Sequence, residues 1–383
     1  MKLLEYKAKE LFEKYDLPTM KGVVLEDTMN VAEQISAGGL VYPVVMKAQV
    51  QVGGRGKAGG IQFADNGKKA QEIADWLLFS DLKGLKVHKL LVVDKASPEK
   101  EWYLSIMLDR LTKCPLIIFS AMGGIDIEEV AKTDPDKILK VAINPVLGIQ
   151  DYIVRYLLLK SEIDMAHFTP MKEILEKLYK MFMDYGCMLA EINPLALDAN
   201  GKIIALDGKV DIDDSAMYRL PDIAEFAKTI PVPPLEKEAS DSNFLYIAIE
   251  EDGDVGVMSN GSGMLMSCID LISKKGMKVG AALDLGGGAT ADRIKEAIRI
   301  VLNNEKIDKL FISIFGGITR CDEVAKGVKM ALENRDDKKT VIVRLEGTNK
   351  QEGVKVIQSI DGGVVAVDSI PQGVEELDAR RKK

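Results

Sequence analysis

Ala190-Glu191-Ile192-Asn193-Pro194-Leu195 and, a little further on, Ala205-Leu206-Asp207-Gly208-Lys209 are the most informative stretch of this chain. They flank Asp198-Ala199-Asn200-Gly201, where Asn-Gly favours a tight hairpin because glycine accepts positive φ. A three-residue loop at 199–201, with Gly201 left-handed in a G1 bulge, pairs Asp198 with Lys202. Asn193 then lies opposite Asp207, and Glu191 opposite Lys209 on the same face. One amide, two carboxylates and an ammonium gather at one end of the hairpin. The other end, with Leu195, Leu197, Ile203 and Ala205, is apolar. Hard oxygen donors beside a lysine suit Mg2+ held mainly by substrate phosphates. A solvated hairpin end is the plainer reading, and a two-residue loop would put Asn193 and Asp207 on opposite faces.

Upstream, 4–15 has the spacing of an amphipathic helix, with Leu4, Ala8, Leu11 and Phe12 on one face. Leu17-Pro18 ends it. A strand is expected over 20–25, a helix over 28–35 and a strand over 43–50. The glycine-rich loop 53–60 and a return strand over 61–63 follow. Strand, glycine loop, strand is neither the Rossmann fingerprint nor a Walker motif. A helix over 67–79 and a strand over 87–94 complete a small α+β unit. Strands over 102–109 and 115–120, a turn at 122–124, and helices over 150–159 and 171–185 lead to the hairpin. In the last helix, Ile174, Leu175, Leu178, Phe182 and Met183 are expected on one face. Clustered prolines make 229–242 the clearest linker and argue against regular structure there.

Beyond it the rhythm changes to strand–helix repeats: strands over 255–259, 279–285, 310–315 and 340–345, each followed by a helix, with 364–366 as a fifth strand. This order implies a parallel sheet covered by helices. Glycine-rich turns at 260–263, 286–290, 316–319 and 347–349 follow strand carboxyl ends, where open α/β sheets bind ligands. Asn260, Gly317, Ile318 and Thr319 are candidate contacts for a small carboxylate. A protein interface along that edge is the rival reading.

The 383 residues call for two or three domains. The expected division is 1–238, with a small subdomain at about 20–95 inserted, and 239–383. A net charge of −8 argues against broad nucleic-acid binding, although Arg55 and Lys57 form a local basic patch. No apolar run reaches membrane-spanning length. The four cysteines lack zinc or disulfide spacing, as expected of a cytoplasmic protein. His88 and His167 lie in no glycine-rich or acidic constellation, and both read as surface residues.

Five glycines in residues 51–60 let the backbone approach a polyphosphate, with Arg55 and Lys57 adding charge-assisted contacts. A mobile surface loop is the alternative. Lys47 interrupts an apolar strand and needs a partner. A phosphate satisfies it, and so does an acid such as Glu101. Asp94 ends the strand that leads to a hinge, and Glu101 opens the next strand, in reach of a ribose hydroxyl or a metal. No nucleophile or phosphoryl acceptor stands out, so transfer goes directly to a bound substrate or a partner chain supplies the missing group.

Taken together, Leu4-Glu5-Tyr6-Lys7-Ala8-Lys9-Glu10-Leu11-Phe12, the 53–60 loop, Glu191-Ile192-Asn193-Pro194-Leu195 and Leu206-Asp207-Gly208-Lys209 resemble the beta subunits of ADP- or GDP-forming succinate–CoA ligases. So do Asn260-Gly261-Ser262-Gly263, the 284–290 turn and the run from Ile314 to Asp322. The match runs in order over nearly the whole chain. It implies an ATP-grasp nucleotide domain (α+β) followed by a flavodoxin-like parallel-sheet (α/β) ligase domain. It implies nucleotide contacts at Lys47, Gly54, Arg55, Gly56, Asp94 and Glu101, Mg2+ at Asn193 and Asp207, and substrate contacts at Asn260, Gly317, Ile318 and Thr319. ATP or GTP and CoA are the implied co-substrates. The phosphohistidine and most of the CoA site then belong to an alpha subunit, in a heterodimer or heterotetramer, and Glu191 accompanies that histidine. Asp94 stands where the family often has glutamate. Thr319 stands where valine is common, which leaves a related acid such as malate open. A non-catalytic nucleotide-sensing scaffold is the rival from another class.

Overall fold

The computed structural model describes residues 1–52, 54–333, 335, 339–360 and 362–381. Gly53 of the glycine-rich loop lies outside the described residues. The chain forms two compact units, Met1–Thr229 and Ile230–Lys383.

In the first unit, one sheet has four antiparallel strands in the order Gly22–Leu25, Leu90–Asp94, Val44–Ala48, Ile61–Ala64. Side chains alternate along a strand. Val44, Met46 and Ala48 therefore join Val31 and Ile35 of the helix Val31–Ala37, and Ile73 and Leu77 of the helix Gly67–Leu77, in one core. Val45 and Lys47 take the other face, where Val45, Leu91 and Val93 pack against Tyr6 of the helix Glu5–Lys14. That alternation aims Lys47 at the N-terminal helix.

The second sheet of this unit is built around the strand Cys187–Leu197. It pairs with Lys100–Asp109 on one side and with Ile203–Ala205 and Gly208–Ile212 on the other, all antiparallel. The hairpin turns as expected. Gly201 has φ +75°, and Asp198 N–H donates to the Lys202 carbonyl at 3.0 Å. Leu195 faces Ala205 and Glu191 faces Lys209. This constant offset sets Asn193 opposite Asp207, in the gap between the two partner strands. Against Lys100–Asp109 the register slips between Ile192 and Leu195. Such a bulge re-aims a side chain, and here it turns Asn193 toward residues 124–125.

The helix Phe168–Asp184 buries Met171, Ile174, Leu175, Leu178, Met181 and Phe182. Met183, expected among them, is exposed. One residue on from Phe182 it is rotated by about 100° off the buried stripe, and Met181 takes the inner place.

In the second unit the sheet order is Leu245–Ala248, Val279–Asp284, Val255–Ser259, Lys309–Gly316, Thr340–Gly347, Val364–Val367. The last five strands are parallel, as the repeats predict, and the first runs antiparallel to Val279–Asp284. The helices Ala291–Leu302 and Cys321–Leu332 cover one face through Ile294, Ile298 and Val324. Ser262–Lys274 and Ile370–Ala379 cover the other through Leu265, Cys268 and Val374.

The proline segment corrects the sequence reading, because it carries the helix Pro234–Asp241. Proline at the first helical position loses no hydrogen bond and has the right φ. Buried Ala239 and an ion pair between Glu238 and Arg299 then fix the helix to its own unit.

Candidate functional site

Four charged side chains of the first unit meet beneath the hairpin. Lys47 Nζ lies 2.7 Å from Glu5 Oε1 and 3.9 Å from Asp207 Oδ2, and donates to the Leu206 carbonyl at 2.9 Å. Arg55 Nη1 lies 2.7 Å from Glu5 Oε2, and Nη2 lies 3.2 Å from Asp207 Oδ2. The lysine's acidic partner is thus Glu5, not Glu101. Two cations and two anions balance one another. Burial alone would raise Glu5, but the Lys47 and Arg55 charges outweigh it and hold this carboxyl below its ordinary range. Burial and then the Glu5 carboxylate push Asp207 the other way, up to about 6. Burial opposes the charge of Lys47 and Arg55, yet Glu5 and Asp207 raise both above their ordinary values. Asp207 is the open member of the set, with a quarter of its side-chain surface accessible against 4% for Glu5.

The glycine-rich loop is a closed turn. Gly60 N–H donates to the Arg55 carbonyl at 2.8 Å, Gly59 N–H to that of Gly56 at 3.1 Å, and Ala58 N–H to that of Gly54 at 3.3 Å. Those three N–H groups are engaged within the loop itself. Gly54, with φ +68°, holds a backbone that other residues rarely adopt. Lys57 does not join the cluster; it is exposed and pairs with Asp126 at 2.7 Å.

Asn193 organises a second group. Its Oδ1 accepts from Gly124 N–H at 2.9 Å, and its Nδ2 donates to the Ile125 carbonyl at 3.0 Å. The Glu101 carboxylate lies against the same turn, since a Cβ on Gly124 would stand 2.3 Å from Glu101 Oε2. Two strand residues away along the hairpin, Glu191 accepts from the Tyr103 hydroxyl at 3.3 Å. Burial pushes Glu191 up. Lys209 and Tyr103 pull it back in part, while Glu128 and Asp126 add to the rise. Asp94 faces Val44 at the far end of the strand, and its carboxylate accepts from Val41 N–H at 3.2 Å. It stands three strand residues from Lys47, about 10 Å along the sheet.

In the second unit, Asn260 pairs with the backbone of Phe315 through both side-chain atoms, at 2.9 Å each. This ties the first glycine turn to the third. The Thr319 side chain is buried and its hydroxyl accepts from Gly288 N–H at 2.9 Å, so the side chain ties two of the glycine turns together. Gly317 and Ile318 are exposed at the tip of the turn.

Sequence reasoning missed Glu5 and Tyr103. Glu5 had a legible signal, because it is an acid on the face of a helix whose other members, Ala8, Leu11 and Phe12, are core residues.

Among the described residues no group of three or more His, Cys, Asp or Glu forms a metal cage. The donors at the hairpin are one amide oxygen and one carboxylate, both hard. Such a set fits Mg2+, which keeps water and substrate phosphates as its remaining ligands.

The first unit thus holds a strand lysine, a glycine-turn arginine and a hairpin aspartate between two antiparallel sheets, and a mostly parallel sheet with glycine turns follows in the chain. The ATP-grasp domain family matches residues 2–197 and the CoA-ligase family residues 258–372. The succinate–CoA ligase [ADP-forming] beta subunit of Desulfatibacillum aliphaticivorans is 43% identical over 93% of this chain and 94% of its own length. The beta 2 subunit of that name from Archaeoglobus fulgidus is 41% identical over 93% and 92%. A solved ATP citrate lyase from Methanosaeta concilii shares the fold, with a TM-score of 0.72 over 99% of each chain at 16% identity. The chain belongs to the family of succinate–CoA ligase beta subunits.

Proposed function

We propose that this chain is the nucleotide-handling subunit of a succinate–CoA ligase. With an alpha subunit it interconverts succinyl-CoA, phosphate and ADP with succinate, CoA and ATP. The observation that carries the reading is the convergence of Lys47 and Arg55 on Asp207, next to Asn193, under the hairpin. The two cations suit a polyphosphate, and phosphoryl transfer needs positioning and charge neutralisation above all.

In this reading Lys47 and Arg55 exchange part of their hold on Asp207 for phosphate oxygens, and the first half of the glycine turn, Gly54 to Gly56, lines the phosphates. Asn193 and Asp207 would hold Mg2+, which when bound neutralises phosphate charge. Asp94 marks the base end of the site, a nucleotide's length from Lys47, and Glu101 lies against the turn that Asn193 fixes. ADP is the acceptor named for the relatives.

This chain's two histidines stand apart from the cluster. His88 is exposed, and His167 packs against Trp102. A phosphohistidine from the alpha subunit fills the gap, and Glu191, raised and held by Tyr103, receives and orients its imidazole. In the second unit the Gly317-Ile318 tip offers backbone N–H groups to a carboxylate, with Asn260 stiffening the turn behind it. The buried, engaged Thr319 hydroxyl does not reach out to a substrate hydroxyl, which favours succinate over malate.

The test is thioester formation from succinate, CoA, ATP and Mg2+ by this chain, by its alpha partner, and by both together. Product only from the pair is expected. Equal product from this chain alone, or malate outpacing succinate, overturns the reading.

A further inference from the structure

Glu5 has no part in the reading above, yet it is the most deeply buried charge at the site. It stands in the first turn of the helix Glu5–Lys14, and its two oxygens serve different cations, Lys47 and Arg55, at 2.7 Å each. Lys47 and Arg55 are themselves buried, and an apolar residue in place of Glu5 would leave both charges short of a partner, which is costly. The carboxylate therefore answers to the two cations it pairs with rather than to the packing of its own helix. The two groups it holds are the two assigned to phosphate.

We propose that Glu5 is a positioning residue that stands in for phosphate. It aims Lys47 and Arg55 before nucleotide binds and competes with the nucleotide for them, so that affinity stays low enough for release in either direction. The inference rests on the nucleotide reading of the site. Its physical content is electrostatic. With Glu5 in place, a polyphosphate meets cations already half neutralised. Without that charge, the same cations attract it more strongly, and dissolved salt weakens that added attraction.

The test measures ADP affinity by calorimetry on the full chain, in EDTA, at several ionic strengths. Glu5→Gln keeps the shape and removes the charge. It is expected to bind ADP at least about tenfold more tightly, a difference near 1.4 kcal/mol, with a steeper dependence on ionic strength than the parent. Glu5→Asp keeps the charge but its shorter arm cannot bridge both cations. It is expected between the two in affinity, with the parent's dependence on ionic strength. ADP binding no tighter than the parent's in both variants overturns the proposal. Should Glu5→Gln not fold, Glu5→Asp decides alone: tighter binding supports the proposal, and equal or weaker binding overturns it. Lys47→Gln separates the two levels of argument. Unchanged ADP binding in Lys47→Gln refutes the nucleotide reading and the proposal with it. Weakened binding there, beside unimproved Glu5 variants, refutes the role of Glu5 alone.

Discussion

Replacing Asp207 by asparagine should make the nucleotide-free, metal-free protein more stable at neutral pH. Burial and the Glu5 carboxylate raise Asp207 from 3.8 to about 6. Ionising it in place therefore costs about 3 kcal/mol relative to the unfolded chain. The sign follows from proton binding. Between pH 4 and 6 the folded state holds a proton that the unfolded state has lost. The stabilisation by that proton is complete below the unfolded value and is lost as pH rises through about 6. Asparagine mimics the protonated form at every pH. Solvent reaches a quarter of the Asp207 side chain, and screening reduces the ceiling to a gain of about 1–2 kcal/mol at pH 8. The gain should vanish below pH 4. Glu5 acts in a separate window. Its lowered value gives stability that is present above the ordinary glutamate range and is lost only as pH falls below it. Urea denaturation in EDTA, followed by tryptophan fluorescence, is the assay. Both tryptophans, Trp76 and Trp102, lie in the first unit, so the signal reports that unit. Nucleotide with Mg2+ should reverse the order, stabilising the parent more than the variant. A variant less stable than the parent at pH 8 would refute the electrostatic reasoning.

Asn193→Ala removes one acceptor and one donor from the 124–125 turn. It should cost about 1–3 kcal/mol and shift the tryptophan fluorescence transition of the first unit, since Gly123 beside the turn lies against the Trp102 backbone. An unchanged midpoint would show that the clamp carries no weight. Thiol labelling of the native chain should stop at Cys114. Cys187, Cys268 and Cys321 are buried, and burial pushes the first two up to about 12 and about 11. Rapid labelling of a second thiol contradicts the packing around them. Gly347→Ala should cost more than about 3 kcal/mol, because φ is +103° and the new Cβ would lie 2.0 Å from the Gly316 carbonyl oxygen. Gly286→Ala meets open space at φ +68° and should cost only about 1–2 kcal/mol. Calorimetry of the second unit's transition distinguishes the two, and equal costs would argue against the close approach of the Lys309–Gly316 and Thr340–Gly347 strand ends.

Much of the fold is written in local pattern. The strand–helix repeats after residue 255 give the parallel sheet because the first four strands are mainly apolar runs that lead into glycine-rich turns, and the Asn-Gly turn sets the hairpin register through a single residue at positive φ. What escaped reading depends on long-range partners. The helix Pro234–Asp241 is a proline-led segment whose only apolar anchor is short, and docking on its own unit makes it helical. The edge strand Leu245–Ala248 exists through its pairing with Val279–Asp284. At the site, residue types and hairpin spacing brought Asp207, Asn193 and Glu191 to one end of the hairpin. They did not show that the partner of Lys47 comes from a helix 42 residues earlier. They also did not show that Thr319 points inward, because a hydroxyl in a glycine turn reads as exposed until its acceptor role toward Gly288 is seen.

In the proposed reaction this chain holds the nucleotide and a partner holds the phosphoryl acceptor. Incubating both chains with γ-radiolabelled ATP and Mg2+, then separating them under conditions that preserve phosphohistidine, tests it directly. The account predicts label on a histidine of the partner and none on His88 or His167. Stable label on this chain, or none on the partner in the presence of both, would contradict it.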